Sequence, residues 1–511
     1  MGQLFISWLL LIIYMIVMFW IGWKGMKEST TLEGYYLAGR KLGPWVVSFS
    51  FFATLLSSAA FLGGGGTGFL LGFSWPAYLF MFNIIFAVVP WVFMAPRMRV
   101  FTERLKSITI PDFFAFRYES QMARVVASAI ILIFLEFNMI AAYKASGNLI
   151  QTLLGIPYVI AILIFVIPVI VYTGMGGFKA VTLTDFIQGI LMLAGGFLLF
   201  VLVLCQVGGW STGIAELSKI KLMGNVPGTA LLELGGFGPP PIMKAGKLLE
   251  FTLTLTFAIC VANLGLPHLI IRFYAAKDKK VIQKGMIITP IIIGLFVLTV
   301  YNVGPFAWLI LPKYIAGPEI GQFLKDPDLV VPFLIQKLFP LGLNALLLVA
   351  IIAAGQSTIN SVVQVLATAF SRDIVQVVKP GIGDQKLIRI TRWATIILGL
   401  IPFALAIKPP GIIVVIVGFA FSVIASAFTG PLLIGLFWSG ATAIGAWVSM
   451  ILSTGTCIWW HFTYYKTLWV YPVIPGLIVG IISYVIISWF TPKPSEGIKS
   501  MIKAGTKSMS S

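Results

Sequence analysis

Apolar segments of the length needed to cross a lipid bilayer recur along the chain. A transmembrane helix requires about 20 consecutive, mostly apolar residues. We place thirteen such spans, numbered 1 to 13, at residues 3–23, 44–72, 74–96, 125–153, 157–174, 184–208, 249–271, 285–311, 342–370, 390–407, 411–437, 440–462 and 470–490. Only 10% of the residues are charged, whereas soluble proteins have about 25%. The sequence therefore predicts an all-α polytopic membrane protein, with one transmembrane domain over residues 1–511.

The basic residues predict how the chain is oriented in the membrane. If the N-terminus lies outside, 25 of the 35 Lys and Arg residues fall in cytoplasmic segments. The positive-inside rule favours this orientation over its inverse. We therefore expect a multi-pass plasma-membrane protein with an external N-terminus and a cytoplasmic tail at residues 491–511. This topology accounts for the net charge of +18, so we expect no nucleic-acid partner. The expected partner is the lipid bilayer, and no obligate protein partner is evident.

Span 2 contains a glycine-rich stretch, "FLGGGGTGFLLG" at residues 61–72. Its glycines match the G-x-G-x-x-G pattern of dinucleotide-binding loops, which also requires a preceding strand and an acidic residue about 20 positions later. Residues 73–102 contain neither Asp nor Glu, so a nucleotide site is excluded. The run Gly63–Gly66 either lets span 2 unwind beside a binding site or lets it pack closely against a neighbouring helix.

The arrangement of the spans fits two inverted repeats of five helices each. Many transporters contain such repeats, and discontinuous helices form their binding sites. Spans 2–6, residues 44–208, form the first repeat, and spans 7–11, residues 249–437, form the second. Span 1 at 3–23 and spans 12–13 at 440–490 are then additions. The first span of each repeat carries helix-interrupting residues, since span 7 contains Gly265 and Pro267.

Span 9 carries hydroxyl groups in the segment "AAGQSTINS" at residues 353–361. A buried Ser or Thr in a helix often donates to a carbonyl of the preceding turn, which is one interpretation of Ser357 and Thr358. The other interpretation is an ion site, because hard cations prefer oxygen ligands. Two hydroxyls, together with carbonyls from an unwound span 2, would suit Na⁺.

Ionisable residues inside apolar spans are costly and usually functional. Asp185 lies at the start of span 6, where it either faces the membrane interface or serves an ion. Glu136 is in the middle of span 4 and is too deep to extend to the interface, so it is protonated, paired across helices or lining water. Lys144, two turns further on, either extends towards the interface or receives a substrate carboxylate. Arg272, at the end of span 7, is expected to anchor that span at the interface.

Catalysis and primary pumping are not indicated. His268 and His461 lie on different spans, and no Ser-His pair or metal-ligand cluster is apparent. The phosphate-binding pattern G-x-x-x-x-G-K-[ST] of nucleotide-driven pumps does not occur. We therefore expect a protein that is not an enzyme.

Several of these segments resemble the sodium:solute symporter family. The similar stretches occur in the family's order and spacing and lie at residues 57–69, 176–192, 265–273 and 353–361. The resemblance implies a leucine-transporter-type 5+5 inverted-repeat fold. It also implies Na⁺ as the coupling ion, with a set of five ligands: the backbone carbonyls of Ala53, Leu56 and Ala354 and the hydroxyls of Ser357 and Thr358. Asp185 would lie on the ion's route to the cytoplasm.

A substrate site beside the helix interruptions is implied as well. The resemblance places Ser57, Ser58, Ala60 and Asn263 near the substrate, and the ionisable residues Glu136 and Lys144 are added as candidates. Where proline-type members carry an acid, this chain has Leu55. Sugar-type members carry polar side chains at the positions of Ala59 and Ala60, so a sugar is disfavoured. Residues 146–158 look most similar to pantothenate-type members.

The expected function is sodium-coupled symport of a small organic solute by alternating access. Candidate solutes are a carboxylate such as pantothenate, an amino acid or another organic acid. One alternative is proton coupling through Glu136 or Asp185. A second alternative is a solute-sensing membrane protein, which the short tail disfavours.

Overall fold

The computed structural model describes residues 2–28, 31–222, 228–232, 247–340 and 342–507. Almost all of these residues are helical. The helices are α1 (Gly2–Glu28), α2 (Leu32–Leu37), α3 (Pro44–Leu55), α4 (Ser58–Leu71), α5 (Ser74–Val89), α6 (Ala95–Leu105), α7 (Ile110–Arg117), α8 (Gln121–Leu154), α9 (Tyr158–Gln206), α10 (Trp210–Lys219), α11 (Leu248–Val261), α12 (Pro267–Ala275), α13 (Lys279–Val300), α14 (Val303–Ile310), α15 (Ile320–Lys325), α16 (Val330–Leu338), α17 (Leu343–Phe370), α18 (Gln376–Val378), α19 (Asp384–Ala406), α20 (Ile413–Leu433), α21 (Ala443–Thr463), α22 (Tyr465–Leu468), α23 (Val473–Phe490) and α24 (Glu496–Lys507).

The number of spans differs slightly from the predicted thirteen. Within the described ranges, eleven helices are long and apolar enough to cross a membrane, and the bent pair α3 and α4 adds a twelfth. The difference arises in α9, whose 49 residues extend about 74 Å, more than twice the thickness of a bilayer core. Gly177 has a left-handed φ of 63° inside this helix. It divides α9 between predicted spans 5 and 6, which are therefore joined without a loop.

The centre of the molecule is formed by α17 and α20, whose residues are almost all buried. The helix α17 packs mainly against α9 and α8, and it carries buried polar side chains that are discussed below. By contrast, α1 packs on α9 at the periphery, and α21 and α23 pack on each other and on α20. These three helices lie outside the ten spans that run from α3 to α9 and from α11 to α20.

The basic segments between the helices contact one another at one end of the bundle, here called the basic end. Arg40 donates to the carbonyls of Ser107 (3.0 Å) and Tyr274 (3.3 Å). Arg124 forms an ion pair of 2.8 Å with Asp373. These contacts bring four segments that the predicted topology assigns to the cytoplasm to the same end of the molecule. The other end, with α10 and α14 to α16, is called the opposite end. The segment "GGFGPPP" at residues 235–241, which lies between predicted spans 6 and 7, is outside the described residues.

Candidate functional site

The first span of the first repeat is broken between α3 and α4. Leu56 (φ −108°, ψ 107°) and Ser57 (φ −100°, ψ −175°) are extended, and the two helices meet at an angle of 51°. The Ser57 hydroxyl accepts a hydrogen bond of 3.1 Å from the backbone N–H of Ala59, which caps the start of α4. The predicted interruption of this span is confirmed, and its position is Leu56–Ser57.

The glycine run lies inside α4 and does not unwind it. A Cβ atom on Gly64 would lie 2.1 Å from the ring of Tyr301, and one on Gly66 would lie 2.2 Å from the carbonyl oxygen of Pro327. Glycine is therefore required here for close approach, since any larger side chain would displace its neighbour. Of the two interpretations of the run, packing is correct, and the expectation that these glycines open the helix is wrong.

The hydroxyls of α17 face the break. The Ser357 hydroxyl lies within hydrogen-bonding distance of the carbonyl of Ala53 (2.8 Å) and that of Ala354 (2.9 Å). Thr358 donates to the carbonyl of Thr54 at 3.1 Å. Both side chains are buried. The structure thus places Ala53, Ala354, Ser357 and Thr358 together, with Leu56 in the break beside them.

A buried ion pair lies next to these oxygens. The carboxylate of Asp185 accepts from Arg272 (2.8 Å), Ser50 (2.7 Å) and Ser361 (3.2 Å), and both charged side chains are fully buried. The Thr54 hydroxyl also donates to this carboxylate, at 3.3 Å. Because the backbone carbonyl of Thr54 accepts from Thr358, a single residue connects the ion pair to the hydroxyl pair.

One of the two interpretations of Asp185 and the prediction for Arg272 are wrong. Asp185 is not a charge at a membrane interface, since it lies within α9 with no exposed surface. Arg272 is not an interfacial anchor, since its guanidinium is buried and also donates to Ser50 at 3.0 Å and to the carbonyl of His268. A buried Arg requires a carboxylate partner. The sequence offered one signal for this pairing, namely that both residues lie in stretches that resemble the same family.

The first span of the second repeat is broken as predicted, between α11 and α12. A 3-10 turn at Ala262–Leu264 separates the two helices, and Pro267 begins α12. A Cβ atom on Gly265 would lie 3.0 Å from the carbonyl of Ile424 on α20. The side-chain nitrogen and oxygen of Asn263 and both ring nitrogens of His268 are buried and lack a hydrogen-bond partner among the described residues.

A cavity of about 50 Å³ lies beside the first break, between α4, α5, α8, α11, α20 and the residue Tyr301. Ser57 and Ala60 line it, as do Trp75, Asn83 and Asn138. None of the lining residues is charged. The indole N–H of Trp75 and the amide nitrogen of Asn138 are buried and have no hydrogen-bond partner among the described residues. The lining is therefore largely apolar with a few unpaired donors, a composition that is typical of small-molecule sites.

The other predicted substrate residues do not line this cavity. Ser58 donates to the carbonyl of Ala142 (3.2 Å) and accepts from Ser146 (3.0 Å). Asn263 lies in the second break. Glu136 is buried on α8, and neither carboxylate oxygen has a hydrogen-bond partner among the described residues.

Lys144 has acidic partners at the opposite end. Its ammonium lies 2.6 Å from Asp328 and 3.3 Å from Asp326, and it donates to the carbonyl of Gly411 at 3.2 Å. The side chain is only 8% exposed, so the expectation that it extends into the interface is wrong. Burial raises the pKa of Asp328 to about 6, against the opposing effect of the Lys144 ammonium.

Trp75, Asn83 and Asn138 were not among the predicted site residues. Asn83 and Asn138 are polar residues inside apolar spans, and that was the available signal. It did not distinguish them from other buried amides, because the sequence does not show which face of a span borders a cavity.

Comparison with known proteins identifies the family. The family model described as "Sodium:solute symporter family" matches residues 35–453. The chain belongs to the sodium:solute symporter family. Its relatives include the osmoregulated proline transporter of Bacillus subtilis, 30% identical over 95% of this chain and 94% of the relative. The sodium/pantothenate symporter of Haemophilus influenzae is 26% identical over 89% and 90% of the two chains.

Solved structures show the fold of this symporter. A Na⁺-coupled sialic acid symporter matches with a TM-score of 0.78 at 20% identity, over 96% of this chain and 99% of the other. MhsT, solved in complex with L-phenylalanine, matches with a TM-score of 0.52 at 15% identity, over 87% and 97%. The predicted leucine-transporter-type fold is confirmed. As a family member, the chain is a membrane transporter rather than an enzyme, and it performs sodium-coupled symport of a small solute.

Proposed function

We propose that this symporter binds Na⁺ between the first break and α17. The ligands are the backbone carbonyls of Ala53, Leu56 and Ala354 and the hydroxyls of Ser357 and Thr358. The observation that carries this proposal is that the Ser357 hydroxyl already lies within 2.9 Å of two of these carbonyls. When the hydroxyl protons rotate away, the same oxygens present lone pairs to a cation, and hard cations prefer such ligands.

The solute binds in the cavity beside Ser57. The start of α4 points the positive end of its helix dipole towards a bound anion. The unpaired donors of Trp75 and Asn138 add to this attraction. These features favour a small carboxylate as the solute, although no cationic side chain lines the cavity to neutralise it. An amino acid fits best, because it brings its own positive charge, and a pantothenate-like acid is second.

Transport follows from alternating access across the two repeats. Na⁺ bound at the first break stabilises the conformation in which the solute site is complete, and the filled site then opens to the other side. Asp185 lies beside the ion and receives it on its way to the basic end, which is the cytoplasmic end. The N-terminus is external and the tail cytoplasmic.

The test is a thermal-unfolding screen of the purified protein with amino acids, small organic acids and sugars, in Na⁺ or in choline at equal ionic strength. We expect Na⁺ to raise the melting temperature. We expect a carboxylate solute to raise it further in Na⁺ and much less in choline, because linkage between two ligands is reciprocal. Stabilisation by solute that follows pH and ignores Na⁺ would instead indicate proton coupling. A sugar as the best ligand would contradict the proposed substrate class.

A further inference from the structure

At the opposite end, a buried ion pair joins parts of the chain that are far apart in sequence. Lys144 lies on α8, and Asp328 lies in the short 3-10 turn Pro327–Leu329. Their charged atoms are 2.6 Å apart, and the side chains are only 8% and 1% exposed. The same carboxylate oxygen accepts from the backbone N–H of Ile413 at 3.0 Å, the first residue of α20. Three elements therefore meet at one carboxylate.

This junction borders the cavity. Ile413 itself lines the cavity beside the first break. The turn that carries Asp328 also rests on α4, since the carbonyl of Pro327 occupies the space where Gly66 would otherwise carry a side chain. A movement of this turn away from α8 would therefore uncover both the outer half of α4 and the residues that line the cavity.

The chemistry of the junction suits a contact that forms and breaks. Burying an ammonium and a carboxylate costs desolvation energy that their attraction only approximately repays. Once separated into water, both groups recover their hydration, so the open and closed arrangements are close in free energy. Lysine is a strongly hydrated point charge on a flexible stem, unlike the planar, multidentate guanidinium of arginine. At neutral pH the carboxylate of Asp328, whose pKa is about 6, is ionised.

We propose that Lys144 and Asp328 form a latch that closes the opposite end of the transporter over the solute cavity. The latch is intact when the cavity is shut off from that side. It opens when α8, the Pro327–Leu329 turn and the start of α20 separate. This inference rests on the proposed orientation and on the cavity as the solute site, but not on the identity of the solute. Lys144 acts on access and does not touch the solute.

The test measures access to the cavity from outside the cell. The background carries Cys205→Ser, which removes the exposed native thiol, and Ala60→Cys, which places a thiol in the cavity. Intact cells are treated with a membrane-impermeant methanethiosulfonate in Na⁺ without solute. We expect Lys144→Met and Asp328→Asn each to raise the labelling rate at position 60 by about tenfold, which corresponds to about 1.4 kcal/mol of lost closed-state stabilisation.

The matched control is Lys219→Met, which removes an exposed ion pair with Glu216 (2.7 Å) from α10 at the same end. It is expected to leave the labelling rate unchanged. If a single variant fails to reach the membrane because a buried charge is left unpaired, the double variant Lys144→Met with Asp328→Leu removes both charges and is expected to label fast. Unchanged labelling in variants that still show the Na⁺-dependent thermal shift would overturn the latch. If the parent protein itself showed no Na⁺-dependent shift in melting temperature, that result would count against the proposed function and not against the latch.

Discussion

The two broken spans occupy equivalent positions in the two repeats, but their polar groups are satisfied differently. At the first break, the freed carbonyls of Ala53 and Thr54 are met by hydroxyls of α17 at 2.8 and 3.1 Å. At the second break, the side chains of Asn263 and His268 are buried without hydrogen-bond partners among the described residues. The first break therefore groups oxygen atoms of the kind that the proposed Na⁺ site requires. The second retains unpaired polar groups that water or a moving segment can use.

One ion pair connects these two regions. Arg272 belongs to α12, directly after the second break, and its guanidinium donates to Asp185 and to Ser50 on α3, which precedes the first break. Any relative movement of the two broken spans must accommodate this pair. The difference between the breaks can therefore be tested first at the Asp185–Arg272 ion pair that connects them, and then at each break in turn.

The largest effect is expected from Asp185→Asn. This substitution leaves the guanidinium of Arg272 buried without a counter-charge, which costs about 3–5 kcal/mol. We expect a large drop in melting temperature and in the yield of folded protein, measured by thermal unfolding and by size-exclusion profile. The double variant Asp185→Asn with Arg272→Gln carries no unpaired charge and is expected to recover most of the stability. If the single variant were as stable as the parent protein, the pair would not hold the two regions together.

An intermediate effect is expected from Ser357→Ala with Thr358→Ala. Loss of both hydroxyls removes two of five proposed ligands at the first break, so the stabilisation by Na⁺ should disappear; at 100 times Kd it amounts to about 2.7 kcal/mol. The readout is the Na⁺-dependent shift in melting temperature. The control is Ser449→Ala, because Ser449 is also a buried helical serine and, within the described part of the chain, donates only to the carbonyl of Ala446 at 2.8 Å. A normal Na⁺ shift in the double variant would remove the assigned site.

The smallest effect is expected at the second break, from Asn263→Ala. An unpaired buried amide lowers the free energy of unfolding by about 1–3 kcal/mol. Removing the amide recovers this free energy, which offsets the packing that is lost with the side chain. We expect the melting temperature to change little and the Na⁺ shift to persist. A loss of the Na⁺ shift as complete as in the α17 double variant would show that the two breaks do not differ in the way described.

Much of this architecture follows from local sequence patterns. The spans, the broken first helix of each repeat and the hydroxyls of α17 are properties of short segments, and the structure contains all of them. Predicted spans 5 and 6 form a single helix in the structure, because Gly177 bends α9 between them without an intervening loop.

Other features depend on contacts between distant residues, which one sequence does not display. Lys144 and Asp328 are 184 positions apart, so a lysine suited to a substrate carboxylate could not be distinguished from one with an internal partner. The same holds for Asp185 and Arg272. The glycines of α4 fit both unwinding and close packing, and only the positions of Tyr301 and Pro327 decide between them.

The central claim, that the first break and the α17 hydroxyls together bind the coupling ion, is tested most directly by equilibrium binding of radioactive sodium to the purified protein. We predict saturable binding to the parent protein and to Ser449→Ala, and none to the variant that lacks the hydroxyls of Ser357 and Thr358. Undiminished binding to that variant would contradict the claim.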